Sequence, residues 1–248
     1  MLASDWSGSA VLFDLDGTLI ESMPTIERHT RIWAERHGLD PDRTLEVWHG
    51  RRDTDVIEEL VGPGLVEAEL AWMRDISCRD VDGITALPGA AALIGQLPAG
   101  SWGIVTSGER AVARCRLAAA GLPVPEVMVT ADDVVNGKPD PEGYLLGARL
   151  LGVAPARCLV FEDALTGIAA AVAAGTTAVL LTDDPFADAP VVLGSLTEAQ
   201  PAPAPATALR FSFGARQAPQ PGTAAHPHHR RRTRPHEHAA RPADRIHS

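Results

Sequence analysis

The sequence predicts an α/β fold, a doubly wound parallel sheet interrupted after its first strand by a helical insertion. Three observations predict it. Five short apolar runs, at 10–13, 103–105, 127–129, 158–161 and 178–181, show no polar alternation, as expected of strands covered on both faces. Helical patterns separate the later runs, over 110–120, 142–151 and 165–174. Gly121, Gly152 and Gly175 follow them where helix C-caps are expected. Strand and helix in alternation give a parallel sheet, whose ligands bind outside the carboxyl ends of the strands.

The first run, 10–13, drives into Asp14-Leu15-Asp16-Gly17-Thr18. The segment 20–83 then breaks the rhythm. It reads as helices only, with packing positions at Met23, Ile26, Trp33, Val56, Ile57, Leu60 and Val61. An insertion of this size should form a separate helical cap hinged near 19–22 and 83–88. The expected division is a core of 1–19 and 84–199, a cap of 20–83 and a tail of 200–248. Repeated Pro-Ala, then His226-Pro-His-His-Arg-Arg-Arg, make that tail too polar and proline-rich to bury a core, so it should be disordered.

Charge and cysteine content exclude several classes of function. Eight of the 22 basic residues but only two of the 32 acidic ones lie from Pro201 onward, so the body before it carries −16 against −10 for the whole chain. A nucleic-acid surface needs a basic stripe, and this body is acidic. Cys78, Cys115 and Cys158 are scattered, odd in number and lack a CxxC pair, which points to a reducing compartment and no disulfide. No leader or apolar run of membrane length stands out. The expectation is a cytoplasmic protein, a monomer or weak homodimer, with no nucleic-acid or membrane partner.

The chemistry concentrates where strands end. Asp14 and Asp16 follow the first run at a spacing that turns both carboxylates into one crevice. Two such anions 4 Å apart repel by roughly 4 kcal/mol at an effective dielectric of 20. A hard divalent ion such as Mg2+, carrying a phosphate, is the natural occupant. Thr106, with Ser107 and Gly108, ends the run that starts at Trp102, and Glu162 and Asp163 end the run at 158–161. Lys138, the single lysine among 22 basic residues, sits in Gly137-Lys138-Pro139-Asp140-Pro141, a short loop past 127–129. A compact ammonium suits a tetrahedral phosphoryl group differently from a planar guanidinium. An isolated acid after a strand is ordinarily a helix cap or turn former, but four such coincidences of the right polarity argue for a metal–phosphate site.

With these residues in order, the chain from about 11 to 196 resembles the haloacid dehalogenase-like hydrolase superfamily. The carriers are Asp14-Leu-Asp-Gly-Thr, Val105-Thr106-Ser107-Gly108, Gly137-Lys138-Pro139 and Phe161-Glu162-Asp163-Ala-Leu-Thr-Gly167. His49-Gly50-Arg51-Arg52 and Leu87-Pro88-Gly89 look most like its sugar-phosphatase and glycerol-3-phosphatase branch. The resemblance implies a Rossmann-like core and a Mg2+-dependent phosphatase acting on a small sugar or polyol monophosphate. It implies that Asp14 is the nucleophile and Asp16 the acid and base, with Thr106 and Lys138 binding the phosphoryl group. Asp14, the carbonyl of Asp16, Asp163 and, through water or from the second layer, Glu162 would hold Mg2+. Ser107 and Gly108 would offer N–H groups to the phosphate, and His49, Gly50, Arg51 and Arg52 would meet the substrate. His49 reads equally as a packed loop residue, and His29 as a surface one.

The same residues separate relatives. Asp16 speaks against a dehalogenase, and the lack of a cap lysine against a phosphonate-cleaving enzyme. A phosphomutase of β-phosphoglucomutase type is the alternative reading. Such enzymes resemble this chain but place a histidine and an arginine where Ile26 and Asp53 stand here. A non-catalytic metabolite-binding protein is a third, less consistent with a complete acid, threonine and lysine set.

Overall fold

A computed structural model describes residues 5–48, 51–184, 189, 191–202 and 208–213. Its strands are β1 Asp5–Gly8, β2 Ala10–Phe13, β3 Ile20–Glu21, β4 Thr85–Ala86, β5 Trp102–Val105, β6 Val127–Val129, β7 Cys158–Glu162, β8 Thr177–Leu181, β9 Val191–Leu193, β10 Ala199–Ala202 and β11 Leu209–Phe213. Its α-helices are α1 Met23–Arg36, α2 Pro41–Trp48, α3 Asp53–Val61, α4 Val66–Arg79, α5 Ala90–Ile94, α6 Arg110–Ala119, α7 Glu142–Leu150 and α8 Leu165–Ala173.

The central sheet has six strands in the order β6-β5-β2-β7-β8-β9, each paired parallel to its neighbours. All five apolar runs lie in it, and β9 adds an edge strand. Successive residues of β2 feed opposite layers. Val11 and Phe13 pack with Leu93, Leu117 and Phe161 on one side, while Leu12 packs with Tyr144, Val160 and Ile168 on the other. Both faces are therefore covered, which is why the strands read as unbroken apolar runs. Phe13 stacks on Phe161 at 5.3 Å directly beneath the strand ends that carry the acids. Gly121, Gly152 and Gly175 hold φ of 68°, 70° and 79°, the left-handed backbone that closes α6, α7 and α8.

The cap consists of α1 to α4 around a core of its own: Trp33, Trp48, Val56, Ile57 and Met73. Trp33 and Trp48 meet edge to face at 4.9 Å. Leu60 and Val61 pack against this core, but Met23 and Ile26 instead line the cavity between cap and core. The insertion is not helical throughout. At its base β3 pairs antiparallel with β4, Ile20 opposite Ala86 and Glu21 opposite Thr85, so two strands form the connection to the core.

Two further expectations need correction. The boundary set at 200 falls inside β10. This strand and β11 pair antiparallel, and β11 also pairs with β1, in a three-stranded sheet at the edge of the core. Phe211 is fully buried against Trp6 and Phe161. Leu209, Phe211 and Phe213 thus give the proline-rich region an apolar face that composition alone concealed. Residues 214–248, most of the expected tail, lie outside those described. The cysteines do not all stay apart either: Cys78 of α4 and Cys115 of α6 form a disulfide with Cα atoms 5.4 Å apart. Their 37-residue separation hid a pairing that arises only because a cap helix lands on a core helix.

Candidate active site

The loops after β2, β5 and β7 deliver their polar residues to one end of the sheet, beneath the cap. Asp14 follows β2, and its N–H donates to the Phe161 carbonyl at 2.9 Å, which locks it against the neighbouring strand. Glu162 ends β7 with no exposed surface. Both acids meet the Lys138 ammonium, which donates to Asp14 Oδ1 and to Glu162 Oε1 at 2.5 Å each. Burial works against the Lys138 cation, but the two carboxylates outweigh it and raise its pKa. Burial raises the Asp14 pKa well above the usual carboxylate range, against the pull of Lys138.

Asp14, Glu162 and Asp163 each present an oxygen within 4.8 Å of the others. This all-oxygen, acidic donor set fits a hard dication. Burial and then the Glu162 charge push the Asp163 pKa up to about 6, against the pull of Lys138. Two glycines make room for the acids. Gly17, at φ 86°, lies so near Asp163 that an added Cβ would clash with Oδ2 at 2.1 Å, and at Gly167 it would overlap the Glu162 carboxylate. Any side chain at either position would displace an acid.

Asp16 is placed differently. Its Oδ1 accepts from Ser22 Oγ at 2.6 Å and from Arg116 Nη1 at 2.8 Å, so its carboxylate turns toward the cap hinge and away from the three-acid cluster. Thr106 is buried, and its Oγ1 accepts the Gly108 N–H at 3.1 Å. That bond leaves the Thr106 hydroxyl proton free for another acceptor, and the Gly108 N–H points at the Thr106 oxygen. Ser107 and Gly108 still line the cavity.

A cavity of about 160 Å3 lies over these groups, with Asp14, Asp16, Thr106, Lys138, Glu162 and Asp163 on its floor. Arg51 lines it and pairs with Glu59 at 2.8 Å. Arg52 does not. Its guanidinium grips Asp55 and donates to the Val134 and Val135 carbonyls, and its side chain packs on Gly137, so it ties the cap to the lysine loop. The reason is local: Asp55, one helical turn on, satisfies the fork before any substrate could. His49 and Gly50 lie outside the described residues. His29 is not a surface residue; it is buried between Asp80, at 3.0 Å, and Ser77, and burial lowers its pKa.

Sequence reasoning missed Arg116 and Tyr144 here, and it named Asp53 only as a position where mutases carry arginine. Arg116 is buried on the same face of α6 as Val112, Ala113 and Leu117, and a cation at that register was a readable signal. Tyr144, the single tyrosine, is fully buried and donates to Glu162 Oε1 at 2.6 Å. Burial raises its pKa well above the ordinary value, so it stays a donor. Asp53 lines the cavity from the cap, with Oδ1 held by the Trp48 indole N–H at 2.7 Å and its pKa raised by burial.

With this arrangement in view, similarity to known proteins is informative. The haloacid dehalogenase-like hydrolase family matches residues 9–175. Hexitol phosphatase A of Escherichia coli is 48% identical over 170 residues, covering 66% of this chain and 78% of that protein. Glycerol-1-phosphate phosphohydrolase 2 of Saccharomyces cerevisiae is 35% identical over 184 residues, covering 67% of this chain and 72% of its own length. A hydrolase of Pseudomonas syringae superposes with a TM-score of 0.64 at 27% identity, over 75% of this chain and 93% of that one. The chain therefore belongs to the haloacid dehalogenase-like hydrolase family and is a phosphatase.

Proposed function

We propose that the chain is a Mg2+-dependent phosphatase that hydrolyses a small sugar or polyol monophosphate through an aspartyl-phosphate on Asp14. The observation that carries this reading is the Lys138 ammonium bridging Asp14 and Glu162 in a buried pocket. One cation between two anions pulls the nucleophile toward its charged form, against burial, and it stays close to the oxygens of an incoming phosphoryl group.

The residues divide the work. Asp14 attacks phosphorus, so one difficult displacement becomes two easier ones. Asp16, beside the cavity, gives its proton to the leaving alkoxide and then takes one from the water that hydrolyses the intermediate. Thr106 donates its free hydroxyl proton to a phosphoryl oxygen, and Lys138 neutralises charge there. Tyr144 fixes Glu162, and Glu162 in turn fixes Lys138. Mg2+ held by Asp14, Asp163, the Asp16 carbonyl and Glu162, directly or through water, would supply countercharge for the phosphoryl oxygens. Most of the catalysis is fixed electrostatics in a site sheltered from water.

The monophosphate reading draws on Asp53 and on the named relatives. Asp53 places a carboxyl group on the cap side of the cavity, where it would repel a second phosphate. Hexitol and glycerol-1-phosphate phosphatases among the similar proteins support a small polyol or sugar ester. A phosphate-release screen over phosphorylated polyols and sugars tests it, with turnover of such monophosphates as the expected result. Isomerisation of an aldose 1-phosphate by a trace of its bisphosphate, without free phosphate, would overturn it in favour of a mutase.

A further inference from the structure

Closing a cavity between two lobes is useful only if the lobes also part, and among the described residues three contacts besides the hinge strands and the packing of α4 on α6 help to hold them together. Arg52 of the cap donates to the Val134 and Val135 carbonyls of the core. Arg74 of α4 pairs with Glu109 just before α6, with Arg74 nearly half exposed. Both are non-covalent and can break and re-form as the lobes move. The third contact is covalent: Cys78 of α4 to Cys115 of α6.

We propose that Cys78 and Cys115 form a reversible thiol–disulfide modification site that fastens the cap over the active-site cavity, with small-molecule disulfides and dithiols as its reaction partners. The proposal rests on the phosphatase reading of that cavity, because turnover is what the fastening would regulate. A disulfide confines its two Cα atoms to about 4.4–6.8 Å, so the 5.4 Å found here leaves α4 and α6 about an ångström of play. The residues beside the two cysteines matter to the site. Ser77 lines the cavity, and Arg116 lines it and holds Asp16. Clamping at this point fixes the cavity walls in their closed spacing. In the dithiol form only non-covalent contacts, the Arg52 and Arg74 bonds and the packing of α4 on α6, oppose cap movement.

Burial separates this pair from the third cysteine. Cys78 and Cys115 are both half-buried at the surface where the helices meet, within reach of a small reagent. Cys158 is fully buried, and burial pushes its thiol up to about 11, so little thiolate forms there. In the oxidation one protein thiolate attacks a sulfur of RSSR, whose S–S bond breaks to release RS− and leave a mixed disulfide. The second thiolate attacks the protein sulfur of that mixed disulfide and releases the second RS−. The protein loses two electrons and two protons, and RSSR gains them as two RSH. A dithiol reverses both steps.

The test uses the full chain, equilibrated with glutathione disulfide or with dithiothreitol and then freed of reagent. Intact mass and thiol counting establish the linkage, phosphate release gives kcat and KM, and hydrogen exchange of α4 and α6 reports cap movement independently of activity. The expected result is a Cys78–Cys115 bond in the oxidised chain, slower exchange across the two helices, and kcat lower by about tenfold through slowed opening. Dithiothreitol should restore the rate. Cys78→Ser and Cys115→Ser should turn over at the reduced rate under both conditions, while Cys158→Ser keeps the response. The proposal is overturned if the bond forms and neither exchange nor turnover changes, or if both thiols survive the oxidant. A reduced chain that hydrolyses no phosphate ester, with exchange still slowed by oxidation, would instead sink the phosphatase reading and leave the clamp standing.

Discussion

The Lys138 ammonium meets the Asp14 carboxylate at 2.5 Å across 124 positions of chain. No other lysine exists to take its place, and the nearby arginines are committed: Arg52 to Asp55, Arg116 to Asp16. Lys138→Met leaves Asp14 and Glu162 buried and facing each other. It should lower kcat by about 10²–10³-fold and stability by about 3–5 kcal/mol, read by phosphate release and denaturant unfolding. Lys138→Arg should rescue much of the stability but little of the rate, because a planar fork does not replace a point donor between two carboxylates.

Asp14→Asn keeps the shape of the nucleophile and removes its charge. Phosphate release should vanish for every substrate, while circular dichroism and melting show a folded chain. Residual turnover would assign the attack to another group.

Mg2+ affinity should fall as pH falls through about 6. The Asp163 carboxyl holds its proton up to that pH in the metal-free fold, and proton and cation compete for the same oxygen. Calorimetric titration with Mg2+ between pH 7.5 and 5 checks this. The same shift has a sign for stability. The folded-state pKa lies above the unfolded value, so the folded metal-free chain binds the extra proton, and this group's destabilising contribution, complete above pH 6, is relieved as pH falls toward 4.

Glu69 works in the opposite direction within the cap. It is buried, and although burial opposes its charge, the His37 ring 3.0 Å away, the Trp33 indole N–H and the Arg36 guanidinium hold its pKa below the ordinary value. Its contribution is complete above about pH 4.5 and is lost as pH falls through the lowered folded-state pKa. Glu69→Gln should destabilise the chain by about 1–3 kcal/mol at pH 7 and flatten the acid limb of its stability profile. Tryptophan fluorescence, sensitive to Trp33, follows the loss.

Phe211→Ala should cost about 3–5 kcal/mol, because the ring is fully buried between Trp6 and Phe161. Ending the chain after Glu198 removes β10 and β11 and uncovers the same surface. Activity should fall with the melting temperature in both cases, and an unchanged melt would show that this small sheet adds nothing to the core.

The sheet was legible because strands buried on both faces must be continuously apolar, and their helices had to end in glycines. The acids, Thr106 and Lys138 were legible because polar residues at strand ends converge on one edge whatever the loops do. Asp16 illustrates the limit. Its spacing announced a shared pocket with Asp14, and both line the same cavity, but nothing in the spacing announced that Ser22 and Arg116 would hold its carboxylate. Arg51 and Arg52 are adjacent in sequence, but only Arg51 lines the cavity, since Asp55 captures Arg52 first.

By itself the sequence determined five of the six strands of the central sheet, the helices between the later ones, and which chemical groups gather at the carboxyl ends of those strands, because these follow from local periodicity and from the order of elements along the chain. The tertiary structure alone decided that Cys78 reaches Cys115, that Phe211 returns to cover Phe161, and that Arg116 and Tyr144 join the site. Those outcomes depend on how a cap helix lands on a core helix and how an edge sheet folds back, and such long-range packing leaves no periodic trace in the residues that make it.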